Sequence, residues 1–423
     1  MTLKIFSSRV FFEYLKRVLV PTYQPLRQRN ASVSVAGWRS ARSYHNIGRP
    51  KYRGPGSAAT IRVVDLRSDA FSRPGPAMRR AMLKAMFDED LMREEETVDE
   101  LQKTTADLFQ MEAALFVPSG SMANLIAVMV HCRERGDMMI VGDQSHLHIF
   151  GQGGSAQLAG VHATTATTLP DGSFDLDQLD SKIRHGYPDP HYPRTRLICV
   201  ENTHNIKGGR VLPLTFLQEV RALADRSGLS VHMDGARVMN AAVAQRVPPS
   251  TILQHTHTVS VCLSKGLGAP VGAVLAGPRD FISQAARCRK ALGGMIWKTS
   301  VLAAAGKLAL LEMVDRLEED HRNAKTFAQA LLDCDPPLFA VDTVETNILR
   351  FHLKEPSLSP AEFCDRMGQV WEGEEAALGH GIRVLMFPFF GNSVRAVWHL
   401  GISPEDTQLA VQKMQFVASQ FLN

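Results

Sequence analysis

The chain has 423 residues, of which 45% are hydrophobic, 21% are charged and 7% are aromatic. This length exceeds the usual size of one domain, and the apolar share can fill a core, so the composition excludes a disordered protein and favours two packed domains. The formal net charge is +4, but positions 1–62 hold twelve Lys or Arg residues and a single acid, Glu13. The remaining 35 basic and 42 acidic residues make the rest net acidic, which argues against a nucleic-acid partner because the basic charge lies in a terminal segment.

The N-terminal segment is rich in Arg and Ser, and apolar and basic residues interleave over positions 3–20. This pattern is typical of a mitochondrial transit peptide, with a basic arm of a cytoplasmic protein as the alternative. A Gly-, Pro- and Ser-rich linker follows at 50–60, so residues 1–60 are predicted to be a disordered transit peptide and linker. No uncharged apolar run of about eighteen residues occurs, and no membrane span is expected.

Beyond the linker, apolar runs typical of buried strands alternate with helical patterns. A capping box that begins at Thr97 predicts a helix to residue 109, and a second helix is predicted at 216–226. Strands are predicted at 114–117, 138–141, 197–200, 229–233, 259–263 and 273–276. This alternation indicates an α/β fold with a mostly parallel sheet covered by helices.

The last quarter of the chain has a different pattern. A long helical stretch at 302–332 leads to predicted strands at 347–351, 382–386 and 394–399, and a helix at 404–421 closes the chain. We therefore predict a large domain at 61–318 and a smaller C-terminal α+β domain at 319–423.

Two of the predicted strands end in residues that are candidates for catalysis or ligand binding. The strand before Lys265 runs into Ser-Lys-Gly-Leu-Gly-Ala-Pro, and the strand before Asp234 runs into Asp-Gly-Ala-Arg, which ends at Arg237. Sites in α/β sheets form at such strand ends. A lysine that forms an imine, an acid that keeps a pyridine nitrogen protonated and an arginine that binds a carboxylate are what pyridoxal 5'-phosphate (PLP) chemistry requires.

The loop Ser119-Gly120-Ser121 follows a predicted strand and precedes a helix. Its backbone N–H groups and hydroxyls suit a phosphate at a helix N-terminus, although such a loop taken alone is more often an ordinary N-cap. Together with residues 65–69 (Asp-Leu-Arg-Ser-Asp) and 201–204 (Glu-Asn-Thr-His), these segments resemble the low-specificity L-threonine aldolase family. The resemblance runs from Asp65 to about Glu312 and implies a PLP-dependent transferase-like fold of type I, with the lysine, aspartate and phosphate loop above as cofactor-binding residues.

The resemblance also implies further roles. His146 would stack on the cofactor ring, and His204 would lie on the substrate side, where either histidine could act as the base for the β-hydroxyl proton. Without the family, His146 reads as a solvated loop residue or a weak metal candidate, and no metal is expected. Arg237 and Arg395, assisted by Ser68, would bind the substrate carboxylate. The shared sites of the family imply a homodimer or homotetramer.

Some positions depart from the family pattern. Met92 stands where the family has a tyrosine that reaches a neighbouring subunit, Gly151 replaces a glutamate, and Trp297 replaces an arginine on the phosphate side. Lys298 or Lys290 could supply the missing cation. The retained site residues favour a working aldolase that converts L-threonine or L-allo-threonine to glycine and acetaldehyde. The alternatives are a PLP-binding homologue with degraded activity and a PLP-dependent β-eliminating lyase or racemase.

Overall fold

The computed structural model describes residues 61–86, 91–355 and 358–421; the predicted transit peptide and linker lie outside this part of the chain. The strands are Arg62–Asp65 (β1), Ala113–Val117 (β2), Asp137–Gly142 (β3), His162–Ala166 (β4), Arg194–Glu201 (β5), Ser230–Asp234 (β6), Thr258–Cys262 (β7), Ala273–Gly277 (β8), Phe339–Val341 (β9), Ile348–Leu353 (β10), Ile382–Leu385 (β11), Phe387–Phe389 (β12) and Ser393–Val397 (β13). The helices are Pro76–Met86 (α1), Leu91–Phe109 (α2), Gly120–His131 (α3), His146–Ile149 (α4), Gly154–Gln157 (α5), Leu176–Lys182 (α6), Leu214–Ser227 (α7), Val238–Gln245 (α8), Pro249–Leu253 (α9), Arg279–Ala291 (α10), Ser300–Glu312 (α11), Leu317–Leu332 (α12), Pro360–Gly368 (α13), Glu374–Leu378 (α14) and Pro404–Ser419 (α15). Every helix of the described part is too short or too polar to cross a membrane.

A seven-stranded sheet forms the centre of the larger part, in the order β2-β8-β7-β6-β5-β3-β4. Strands β7, β6, β5, β3 and β4 are parallel, and β8 is antiparallel to both of its neighbours. All residues of β3 and β7 are buried, as expected for strands whose two faces are covered by helices. The predicted α/β fold with a mostly parallel sheet is confirmed.

A second core surrounds the antiparallel sheet β12-β13-β10-β9. Strand β1 pairs in parallel with β11, and Val64 and Leu66 pack into this second core although they lie at the start of the fold. The predicted smaller α+β unit is therefore present, with an N-terminal strand that the sequence pattern did not reveal. The exact limits at residue 318 remain a prediction.

Two predicted helix limits are wrong. Helix α2 begins at Leu91, six residues before Thr97, because the residues between them are good helix formers that extend the helix past the supposed cap. The stretch 302–332 is two helices, α11 and α12, separated by residues 313–316, where Val314 and Asp315 have weaker helix propensity.

Candidate active site

The C-terminal ends of four parallel strands bring the predicted site residues to one edge of the central sheet. His146 follows β3, Glu201 and His204 lie at the end of β5, and Asp234 ends β6. Lys265 follows β7. Glu201 pairs in register with Asp234, and Asp234 pairs in register with Ser260 of β7, so these strand ends are direct neighbours.

Asp234 is a buried carboxylate held from two sides. Asn124 of α3 donates its amide Nδ2–H to Oδ2 at 2.8 Å, and the backbone N–H of Ala236 donates to Oδ1 at 3.2 Å. His146 places Nδ1 at 3.9 Å from Oδ2. An oriented carboxylate beside an aromatic ring is the arrangement that a protonated pyridine nitrogen needs.

Lys265 lies in the loop that β7 leads into, and its backbone oxygen accepts a hydrogen bond from Ser72 Oγ at 2.9 Å. The pKa of the Cys262 thiol, three residues before Lys265, depends on the charged groups around it. Burial raises the pKa of this thiol, Lys265 and Arg237 lower it, and Asp234 and Asp69 raise it further. The charges of these four residues therefore all act on the buried thiol that precedes the Lys265 loop.

Helix α3 presents its N-terminus at the same edge. Ser119 is the N-cap residue, and its hydroxyl accepts the N–H of Met122 at 3.2 Å. A Cβ at Gly120 would lie 2.6 Å from Cys262 Sγ, so only glycine lets this turn approach β7. The exposed Ser119 and Ser121 flank free first-turn N–H groups, which suit a phosphate.

Arg237 is buried in an ion pair that the sequence did not suggest. Its Nε donates to Asp69 Oδ2 at 2.6 Å and its Nη2 donates to Asp69 Oδ1 at 2.8 Å. Its Nη1 is 3.4 Å from Asn205 Oδ1. Burial alone would raise the pKa of Asp69, but the charge and hydrogen bonds of Arg237, with the charges of Lys265 and Arg395, hold it well below its ordinary value.

Arg395 occupies the middle of β13 and is 8% exposed. Its guanidinium carbon lies 5.2 Å from the ring centroid of Phe389, and its charge acts on Asp69. Ser68 caps the short turn at Asp69–Phe71 through a hydrogen bond from Ala70 N–H. Ser68 is therefore the chain neighbour of Asp69, and Arg395 lies within electrostatic range of it.

His204 is a buried, neutral imidazole. Burial, reinforced by the charge of Lys207, lowers its pKa to about 4. The backbone N–H of Lys207 donates to Nδ1 at 3.4 Å, which places the proton of the neutral ring on Nε2. That Nε2 atom has no hydrogen-bond partner among the described residues.

Glu201 shapes the segment between His146 and His204. Its Oε2 accepts the backbone N–H of His146 at 2.5 Å, and its Oε1 accepts that of Asn205 at 2.8 Å. Burial and the nearby charge of Asp234 raise the pKa of Glu201, and the two N–H donors oppose this shift. The carboxyl group of Glu201 thereby fixes the backbone at His146 and at Asn205.

The departures from the family pattern have different structural settings. A Cβ at Gly151 would lie 2.5 Å from the carbonyl oxygen of Leu147, so the local backbone excludes the family's glutamate. Trp297 is 71% exposed, and Lys290 and Lys298 are exposed as well. Met92 lies in α2. The hydrogen bonds of the buried Asp234–Asn124 and Asp69–Arg237 pairs involve neither Gly151 nor Trp297 in the described part of the chain.

The residues present fit PLP. A cleft of about 300 Å³ opens beside His146 and reaches Ser121 and Asn124 at the start of α3. Buried polar atoms without a partner in the described residues cluster at the ends of β3 and β5, namely Ser145 Oγ, Thr203 Oγ1 and His204 Nε2. Orphaned polar atoms beside an amine, a carboxylate and a helix N-terminus are what a polar ligand would satisfy.

Several functional residues escaped the sequence reading. Asp69 ends the motif at 65–69 and Asn124 follows the loop at 119–121, but neither has a role in the sequence analysis, and His232, Thr258 and Asn205 do not appear in it. A buried acid or amide inside a site motif is the signal that could have identified the first two. His232, Thr258 and Asn205 are brought to the site by the tertiary structure, and no sequence motif identifies them.

Comparisons with known proteins agree with this geometry. The family model described as beta-eliminating lyase matches residues 65–354. Low-specificity L-threonine aldolase 1 of Arabidopsis thaliana is 43% identical over 302 residues, covering 71% of this chain and 84% of the plant protein. The low specificity L-threonine aldolase of Escherichia coli K12 is 42% identical over 281 residues, covering 66% of this chain and 83% of the bacterial one.

The fold is shared with solved structures. A threonine aldolase from Leishmania major superposes with a TM-score of 0.67 at 17% identity, covering 84% of this chain and 99% of that one. A serine palmitoyltransferase from Sphingomonas wittichii superposes with a TM-score of 0.62 at 16% identity, covering 84% and 87%. From the matched family model and the identity to curated relatives, the chain belongs to the low-specificity L-threonine aldolase family of PLP-dependent lyases.

Proposed function

We propose that this protein is a carbon–carbon lyase that cleaves L-threonine and L-allo-threonine to glycine and acetaldehyde with PLP as cofactor. The observation that carries the proposal is the convergence of the Lys265 loop, the buried Asp234 carboxylate and the neutral His204 on one sheet edge. The identity of 42–43% to curated threonine aldolases supports it. When bound, the cofactor supplies a carbonyl for the substrate amine and a pyridine ring that withdraws electrons from Cα.

The cofactor would be held by four features of this chain. The amine of Lys265 would bond to it covalently, and Asp234 would accept the hydrogen bond of the protonated ring nitrogen. His146 would cover one ring face, and the first turn of α3 at Ser119-Gly120-Ser121 would bind the phosphate.

The substrate carboxylate would be bound by Arg237 and Arg395, assisted by Ser68. Asp69 accepts from Nε and from one N–H of Nη2 of Arg237, and Asn205 Oδ1 accepts from one N–H of Nη1, so the second N–H groups of Nη1 and Nη2 would be the donors for the substrate. Asp69 thereby fixes the guanidinium plane while its own negative charge is balanced by three cations. Binding through the amine and the carboxylate together sets which Cα bond stands perpendicular to the ring, and this orientation selects Cα–Cβ cleavage.

The two histidines are assigned different tasks. Because Nε2 of His204 carries the proton, this atom would donate a hydrogen bond to the β-oxygen of the substrate and hold it in place. His146, whose side chain is partly exposed, would accept the hydroxyl proton as Cα–Cβ breaks. We expect His204→Gln, which keeps an N–H donor, to retain more activity than His204→Phe.

The histidine assignment has a direct test in His146→Phe, which keeps an aromatic ring face but cannot accept a proton. We expect this variant to bind PLP and to lose kcat by about 100-fold, in line with the loss of a general base. An unchanged kcat would move the base role to His204.

The activity itself is tested on the full chain with PLP and L-allo-threonine, by measuring glycine and acetaldehyde together. Equal amounts of both products, absent in Lys265→Ala, are the expected result. Cofactor binding without either product would indicate the homologue with degraded activity. Release of ammonia and a keto acid, or inversion at Cα, would indicate the β-eliminating lyase or the racemase.

We also propose a mitochondrial matrix location, with the cytoplasm as the alternative, and a homodimer or homotetramer. The composition of residues 1–60 supports the location, and the exposed apolar residues Phe71, Ile296 and Trp297 support association. A fluorescent reporter fused behind residues 1–60 tests the location, and light scattering of the purified protein tests the oligomeric state.

A further inference from the structure

A buried chain of hydrogen bonds leads from the end of α3 through the central sheet to Asp234. His131 Nε2 is 2.8 Å from Thr258 Oγ1, and Thr258 Oγ1 is 2.9 Å from His232 Nδ1. His232 Nε2 is 3.0 Å from Asn124 Oδ1, and Asn124 Nδ2 is 2.8 Å from Asp234 Oδ2. Three side chains, from β7, β6 and α3, thus connect the partly exposed His131 to the carboxylate.

The direction of every proton in this chain is fixed by chemistry. A carboxylate can only accept, so Asn124 presents its NH2 group to Asp234 and its carbonyl oxygen to His232. Burial lowers the pKa of His232 to about 4, so this ring is neutral near pH 7 and its one N–H is on Nε2, facing that carbonyl. Ser260 Oγ donates to the same carbonyl oxygen at 2.5 Å.

The hydrogen bonds between His131, Thr258 and His232 are assigned by the same count of donors and acceptors. His232 Nδ1 carries no proton, so the single hydroxyl proton of Thr258 points to it, and Thr258 Oγ1 must accept from His131 Nε2–H. Burial lowers the pKa of His131 well below its ordinary value, so it is also neutral with a single N–H. The ring of His131 is held by stacking on Phe281, with centroids 4.7 Å apart.

We propose that His131, Thr258, His232 and Asn124 form a one-way relay, in which every hydrogen bond is donated toward Asp234 and whose aligned dipoles hold the Asp234 carboxylate in position for the cofactor ring nitrogen. Hydrogen bonds in such a chain polarise one another in the same sense. The relay ends at Oδ2 of Asp234, the same oxygen that lies 3.9 Å from His146 Nδ1. Its members are positioning residues, since none of them touches the substrate.

This inference rests on the proposed function for its purpose, but the relay can be measured without substrate. Magic-angle-spinning NMR of the full chain with 15N-labelled histidine reports the tautomer of each ring, and His131→Gln and His232→Gln assign the two signals. We expect both rings to be neutral with protonated Nε2 between pH 6 and 8, with and without PLP. A protonated Nδ1 on either ring, or an imidazolium, would overturn the relay even if the enzyme cleaves threonine.

The effect on the cofactor is tested with a matched pair in the middle of the relay. Thr258→Val removes the hydroxyl with little change of shape, whereas Thr258→Ser keeps it. We expect Thr258→Val to weaken PLP binding about tenfold and to shift the pH midpoint of the bound cofactor's visible absorbance, and Thr258→Ser to restore both. Thr105→Val, which removes a buried hydroxyl bonded to Leu101 O in α2, serves as the control for general destabilisation.

Each outcome of the pair is informative. If Thr258→Val and Thr258→Ser behave alike, or if Thr105→Val weakens PLP binding as much as Thr258→Val does, the relay has no bearing on the cofactor and the proposal fails. Absence of acetaldehyde with an intact tautomer pattern and the expected valine effect would instead overturn only the proposed reaction.

Discussion

Replacing Asp69 with asparagine is expected to destabilise the folded protein by about 3–5 kcal/mol, the usual cost of removing one partner of a buried ion pair. Asp69 is fully buried, and Arg237, its partner, is 5% exposed. The carboxylate accepts from Nε at 2.6 Å and from Nη2 at 2.8 Å. Asparagine offers one carbonyl oxygen and turns an NH2 group toward the other donor.

The expected loss of stability follows from the two hydrogen bonds between Arg237 and Asp69. One charge-assisted hydrogen bond is lost, worth about 1.5–3 kcal/mol, and the remaining one no longer has a charged acceptor. The guanidinium of Arg237 is then left as a buried, unpaired cation. Because the pKa of Asp69 is lowered in the folded state, its contribution is fully present above the unfolded value of 3.8 and is lost as the pH falls below it. The stability difference between wild type and variant should therefore be constant near pH 7.

The assay is urea unfolding of the full chain at pH 7, followed by circular dichroism and fitted for both the free energy and its slope. Asp175→Asn is the matched control, because Asp175 is an exposed N-cap whose hydrogen bond from Gln178 N–H an asparagine accepts equally well. A loss below about 1 kcal/mol for Asp69→Asn, with an unchanged slope, would refute the view that this pair is needed to hold Arg237. We also expect the KM for threonine to rise, since the guanidinium of Arg237, which we propose binds the substrate carboxylate, loses its fixed plane.

Three further outcomes are expected. Gly120→Ala should weaken PLP binding at least tenfold, measured by fluorescence titration, because its Cβ would lie 2.6 Å from Cys262 Sγ; Cys262→Ala in the same chain should restore binding, and no restoration would contradict the steric argument. The pKa of His204 is lowered from 6.5 to about 4 on folding, so the unfolded chain binds more protons between these values and stability rises with pH. In urea unfolding, the advantage of wild type over His204→Gln should grow by about 3 kcal/mol from pH 4 to pH 6.5 and stay constant above, and a flat difference would contradict this. Lys413→Met should cost about 3–5 kcal/mol in the same assay, because Lys413 and Glu374 form a fully buried pair, and the double variant with Glu374→Gln should recover part of the loss; a loss in the double variant equal to the sum of the two single losses would show that the two are not coupled.

The sequence by itself determined six of the seven strands of the central sheet, all except β4, together with the mostly parallel character of the sheet and the residues at the strand ends. Apolar runs separated by helical patterns predicted the central sheet, and the parallel arrangement required that Lys265, Asp234 and His204 meet at one edge. These inferences succeed because strand periodicity is local, and because the geometry of a parallel sheet brings all carboxyl ends to the same side.

The tertiary structure alone decided which polar groups hold those residues in place. Asp69 and Arg237 are 168 positions apart, and Asn124 and Asp234 are 110 apart, with nothing in the intervening sequence that pairs them. Strand β1 likewise joins the second core by pairing with β11. Such partners are selected by packing, because a buried donor or acceptor must be satisfied by whichever group the folded chain places within about 3 Å of it, and that neighbour has no periodic signature in the sequence.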